Sequence, residues 1–131
     1  MTKGVLFISP SSEDAVALSQ MLARASIPFG HAESIQKAGP ELEKGTVGAV
    51  LTEARLPDGN WEDVVRLVKK TKSGAAVVVT DKLADARFWA DVLEFGAYDL
   101  LPKPFSPREV QRILANALHE PPLLARVMPA A

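Results

Sequence analysis

Short uninterrupted apolar runs alternate along this chain with longer segments whose apolar residues recur every three or four positions. Val5-Leu6-Phe7-Ile8 lies between Gly4 and Pro10 and is apolar throughout, as a strand buried on both faces of a parallel sheet must be. This run predicts a first strand, β1. Ser11 and Ser12 then offer cap hydroxyls, Glu13 and Asp14 put carboxylates at the positive end of a helix, and Val16, Leu18, Met21, Leu22 and Ala25 follow with helical spacing, which predicts α1. Ile27 to Ala32 reads as β2, and Ser34 to Lys44 as a helix, α2, broken or restarted at Gly39-Pro40. Val47 to Leu51 predicts β3. Asn60 caps α3, which runs through Thr71 with Val64, Val65, Leu67 and Val68 as apolar positions and Asp63 near the positive helix end. Ala75 to Thr80 predicts β4, Leu83 to Phe95 a helix α4 closed by Gly96, and Asp99 to Leu101 β5. The sharpest boundary belongs to α5, where Ser106-Pro107-Arg108-Glu109 combines a cap hydroxyl, a proline in the first turn and a capping-box glutamate; Pro121-Pro122 ends it.

Strand and helix alternate five times, which predicts an α/β fold: a doubly wound, five-stranded parallel sheet of order 2-1-3-4-5 with helices on both faces. The 131 residues suit one domain. We assign it to residues 1–120. Residues 121–131 hold three of the chain's ten prolines and no charge pattern, and read as a tail or the start of a linker. Fifteen basic against sixteen acidic residues give a net charge of −1, too little cation for sequence-independent binding to nucleic acid or to an anionic bilayer. Without cysteine there is no disulfide, thiolate nucleophile or Cys-ligated metal. Two isolated histidines, His31 and His119, give no ligand spacing. The apolar run before Pro10 is too short for a signal sequence or a membrane span, and a cytoplasmic location is expected.

In such a sheet, ligands bind beyond the carboxyl ends of the strands at the switch point between β1 and β3. The residues there are Ser9, Pro10 and Ser11 after β1, Thr52-Glu53-Ala54 after β3, Thr80-Asp81 after β4, and Lys103-Pro104 after β5. One carboxylate, one hydroxyl and one ammonium are expected to converge. No glycine-rich phosphate loop follows β1, so a flavodoxin-like small-ligand binder rests only on the hydroxyls of Ser9 and Ser11.

Three blocks carry a resemblance: Glu53-Ala54-Arg55-Leu56-Pro57-Asp58-Gly59, Thr80, and Gly96-Ala97-Tyr98-Asp99-Leu100-Leu101-Pro102-Lys103-Pro104-Phe105. On them, residues 3 to 120 resemble the receiver domains of bacterial two-component response regulators, of flavodoxin/CheY-like fold. Leu-Pro-Lys-Pro-Phe is similar to receivers of the nitrogen-regulatory, enhancer-binding type. The resemblance implies a phosphoryl-accepting aspartate at the place of Glu53, two acidic Mg²⁺ ligands after β1, a hydroxyl at the end of β4 and a lysine after β5. Thr80 and Lys103 match. Ser9-Pro10 replaces the acidic pair, Glu53 replaces the acceptor, and Glu13 and Asp14 come too far along α1 to stand in. Weak or absent Mg²⁺ binding is therefore expected, with no cofactor and no catalytic residue. Glu53 and Lys103 should form an ion pair, with Pro104 in a cis peptide.

These residues leave several readings open. Glu53 is one methylene longer than aspartate and could imitate a phosphorylated acceptor permanently, could accept phosphate itself, or could be half of a structural ion pair. The aromatic residue expected on β5 is replaced by Leu100, with Tyr98 two positions earlier on the same strand face by alternation. On α4, Ala86, Trp89, Ala90 and Leu93 form one stripe and Phe88, Val92 and Phe95 another. By resemblance the first stripe faces the sheet. Phe88, Val92 and Phe95, with Tyr98 and Leu100, then form a partner surface on α4, β5 and α5, suited to a homodimer, a sensor kinase or an effector domain. The leading expectation is a degenerate, phosphorylation-independent receiver acting as a protein-interaction module.

Overall fold

A computed structural model describes residues 3–71 and 73–119. Its central sheet consists of β1 (Gly4–Ile8), β2 (Phe29–Ala32), β3 (Val47–Glu53), β4 (Ala76–Asp81) and β5 (Asp99–Pro102). All four pairings are parallel and the strand order is β2-β1-β3-β4-β5, as the sequence predicts. The helices are α1 (Ser12–Ala23), α2 (Ile35–Glu43), α3 (Trp61–Thr71), α4 (Ala86–Phe95) and α5 (Pro107–His119). A two-residue antiparallel pair, Arg55–Leu56 with Gly59–Asn60, closes the loop between β3 and α3; no periodicity in so short a segment predicts it. The tail from Pro121 to Ala131, and the Pro121-Pro122 stop, lie outside the described residues.

Alternation along the strands feeds two cores. Val5 and Phe7 of β1, Leu51 of β3 and Leu101 of β5 pack with Leu18 and Leu22 of α1 and Leu114 of α5 on one face. On the other, Leu6, Ile8, Val50, Val79 and Leu100 pack with α2, α3 and α4. Because Tyr98 precedes β5, alternation does not govern it: it packs against the α1/α5 core whereas Leu100 is buried in the other. The two residues therefore do not share a face, which corrects the sequence expectation.

Helix α2 runs unbroken through Pro40. Proline removes one backbone donor from the ladder, but Pro40 is exposed, and the helix gains the burial of Ala38 and Leu42. Its first turn is capped twice. Ser34 accepts from the Lys37 amide, and Asp58 accepts from the Ile35 and Gln36 amides at 3.0 Å each. Those two amides hold the Asp58 carboxyl below its ordinary value.

The α4 orientation reverses the expectation. Val92 is fully buried, Phe88 and Phe95 pack against the core, and Trp89 is 47% exposed; Ala86 and Ala90 face solvent. The cause is Trp61, at the start of α3, which meets Phe88 and Phe95 edge-on at 6.0 and 5.3 Å between centroids. Such pairs add about 0.5–1.5 kcal/mol beyond the area that they bury. Asp85 caps α4 through the Phe88 amide at 2.8 Å, so Leu83 lies before the helix and is exposed. Gly96, at φ 113°, closes it in a left-handed conformation that glycine adopts without strain.

Candidate functional site

The carboxyl ends of β1, β3 and β5 bring together a charge-paired cluster. Ser9 ends the β1 segment and is fully buried. Its hydroxyl donates to Glu53 Oε2 at 2.9 Å and accepts from the Ser11 amide at 3.0 Å. Ser11 in turn caps α1 by accepting from the Asp14 amide at 3.1 Å. This fixes the first turn of α1 so that its acidic residue points back over the sheet. Lys103 completes the cluster: its Nζ donates to Glu53 Oε2 at 2.7 Å and to Asp14 Oδ2 at 2.8 Å. The peptide that follows Lys103, to Pro104, is cis.

The expected Glu53–Lys103 pair is therefore present, and Asp14 joins it. Sequence spacing sets Asp14 aside as too far along α1, yet one helical turn from the Ser11 cap carries its carboxylate to the lysine. The Lys103, Glu53 and Asp14 side chains are 14%, 15% and 31% exposed, so water screens the cluster only partly. Burial by itself would lower the Lys103 pKa; the hydrogen bonds it donates to Asp14 and Glu53, and their negative charge, outweigh it and raise the group above its ordinary value. The Phe105 ring lies 5.7 Å from the same ammonium, within cation–π range.

Thr80 is not brought into the cluster. It pairs with Glu53 in the backbone register, but its buried hydroxyl donates to the Leu101 carbonyl at 2.7 Å. Pro10 is exposed and carries no donor. The Ser9 hydroxyl both donates and accepts within the protein, and the Ser11 hydroxyl accepts from the α1 backbone. Of the expected partner-surface residues, Val92 and Leu100 are buried, and Phe88 and Phe95 are turned towards Trp61. Phe88 and Phe95 nevertheless stay partly exposed and line an open groove with Trp61, Glu62, Asp91 and Glu94. His31, unassigned by sequence, places Nε2 2.7 Å from the Ser9 carbonyl oxygen and stacks on Phe7, bracing the β1 end.

A resident Mg²⁺, which the receiver resemblance implies, does not fit these residues. Mg²⁺ takes a near-octahedral shell of oxygens. Here serine and proline stand where the acidic pair is expected, and both nearby carboxylates already bind an ammonium. Among the described residues no three His, Cys, Asp or Glu side chains form a group that could hold a metal ion.

Comparison with known proteins agrees with this architecture. No protein-family model matches the chain. The DNA-binding transcriptional regulator NtrC of Rhizobium meliloti (strain 1021) is 31% identical over 104 residues, covering 79% of this chain and 22% of the regulator. The chain thus spans about a fifth of the length of that relative. Among solved structures, the beryllofluoride-activated NtrC4 receiver domain dimer superposes with a TM-score of 0.82 at 20% identity, over 91% of this chain and 98% of that one. The chemotaxis response regulator CheY4 of Vibrio cholerae superposes with a TM-score of 0.79 at 18% identity, over 90% of this chain and all (100%) of that one. Among the described residues no helix is long and apolar enough to cross a membrane.

Proposed function

We propose that this chain, a receiver domain of CheY-like fold near the NtrC type, acts as a phosphorylation-independent protein-interaction module in two-component signalling. One observation carries the reading. At the place of the phosphoryl acceptor stands Glu53, already paired with the Lys103 ammonium at 2.7 Å and hydrogen-bonded by the Ser9 hydroxyl at 2.9 Å. Phosphoryl transfer needs a divalent ion to offset developing charge, and the residues after β1 supply no acidic pair to hold one. The absence of an aromatic residue at Leu100 supports the same view, since the element that would report a change of state is missing. The partners suited to such a module are a sensor kinase or an effector domain. The NtrC relative is a DNA-binding transcriptional regulator, which supports transcription control as the setting. As a receiver, the domain serves signalling rather than catalysis.

The reading is tested with Mg²⁺ and beryllofluoride, a phosphoryl mimic, on isotope-labelled protein. We expect the amide resonances of residues around Glu53, Thr80 and Lys103, and those along α4, to keep their positions. A second saturating set of α4 resonances would overturn the reading.

A further inference from the structure

The two phenylalanines that turn towards Trp61 do not seal the space between α3 and α4. Phe88 and Phe95 lie on either side of Asp91 along one face of α4. With Trp61 at the head of α3 they floor an open groove of about 520 Å³, a size that admits a few side chains of a docking segment. The groove is on the α3 side of α4, away from Trp89 and its Asp99 partner on β5. Glu62, Asp91 and Glu94 stand around the aromatic floor, and none of the three has an ion-pair partner among the described residues. Arg66, whose guanidinium lies 5.2 Å from the Phe95 ring centre, is already bound to Asp63 at 3.2 Å. Past Trp61, Phe88 and Asp91 the groove continues into a second space of about 490 Å³, where Arg55 and Arg87 balance Asp81 and Asp85. The unbalanced negative charge therefore collects over the aromatic floor.

We propose that this groove docks a basic, apolar segment of a partner protein, with a leucine or aromatic side chain against Trp61, Phe88 and Phe95 and flanking arginines or lysines facing Glu62, Asp91 and Glu94. The proposal names the partner chemistry of the interaction module and rests on that reading for its role. Charge complementarity selects the occupant. An acidic segment would meet three like charges. A purely apolar one would strip water from the carboxylates without giving them a counterion. A segment that carries both an apolar anchor and cations satisfies the floor and the rim together. The rings add to this preference, because aromatic faces attract cations, and Phe95 already takes the Arg66 guanidinium in this way within the chain.

The test selects random peptides displayed on phage against the whole chain, then measures the enriched peptides by fluorescence anisotropy. Three proteins are compared: the parent, Glu62→Gln with Asp91→Asn and Glu94→Gln, and Glu62→Lys with Asp91→Lys and Glu94→Lys. None of the three positions is buried, and each variant is checked for a cooperative unfolding transition; the amide variant supplies a second folded protein if charge reversal is too disruptive. The enriched peptides should combine arginine or lysine with leucine or an aromatic residue. They should bind the amide variant about tenfold or more weakly than the parent, and the lysine variant more weakly still. Added salt should weaken binding to the parent, and the peptides should shift the indole N–H resonance of Trp61 rather than that of Trp89. Failure to enrich any peptide, enrichment of acidic or uncharged ones, undiminished binding to a folded variant, or shifts confined to Trp89 would each overturn the proposal. Dimerisation of the parent that the lysine variant abolishes would give the groove to a second copy of the chain and overturn it too. No phosphoryl donor or mimic enters this experiment, so its failure is distinct from a failure of phosphorylation independence.

Discussion

Val92→Asp should abolish the cooperative unfolding transition of this domain, while Trp89→Ala should leave a folded protein. The Val92 side chain is fully buried between α4 and the sheet. A carboxylate there would lose its hydration without gaining a partner, at a cost of about 4–5 kcal/mol or more. That approaches the whole stability of a small domain, about 5–15 kcal/mol. Trp89 is half exposed, and its main interaction is the indole N–H bond to Asp99 Oδ1 at 3.0 Å. Its removal should cost about 1 kcal/mol. Urea titration followed by circular dichroism measures both. If Trp89→Ala were the more damaging change, α4 would present the opposite face to the core.

That contrast marks what a single chain makes legible. The strands and their order are visible because buried parallel strands admit little except apolar residues, and right-handed crossovers leave few topologies. Both stripes on α4 are equally apolar, so periodicity cannot choose between them; the choice follows from Trp61, one turn before Val64 and Val65 in the α3 stripe. Its aromatic ring in line with those valines was the available signal. At the site, Ser9, Glu53 and Lys103 are legible from their places at strand ends. Asp14 is not, because its role depends on the angle at which α1 leaves the Ser11 cap, and 89 positions separate it from Lys103. The direction of the Thr80 hydroxyl is equally hidden: alternation assigns a face, whereas the Leu101 carbonyl offers the acceptor that takes it.

Removing the ammonium should have the second largest effect. In Lys103→Met, two mostly buried carboxylates face one another without a counterion, and we expect a loss of about 2–4 kcal/mol near neutral pH, somewhat less than for a fully buried pair. Adding Glu53→Gln should recover much of it, since removing both partners is far milder than removing one. The pH dependence has a definite sign. The Lys103 pKa is raised above 10.5 in the folded protein, so its contribution is complete below pH 10.5 and disappears as pH rises through the higher folded value. The stability gap between parent and Lys103→Met should therefore be constant through neutral pH and close in strong alkali. A gap that stays open there would show that the lysine stabilises through packing of its methylenes rather than its charge.

On the proposed function, the domain should present one state to its partner whatever the phosphoryl supply. The most direct test is intact-mass spectrometry after incubation with acetyl phosphate and Mg²⁺, with peptide mapping of any product. A single unmodified species is expected; a stoichiometric phosphoryl adduct mapping to Glu53 would contradict phosphorylation independence.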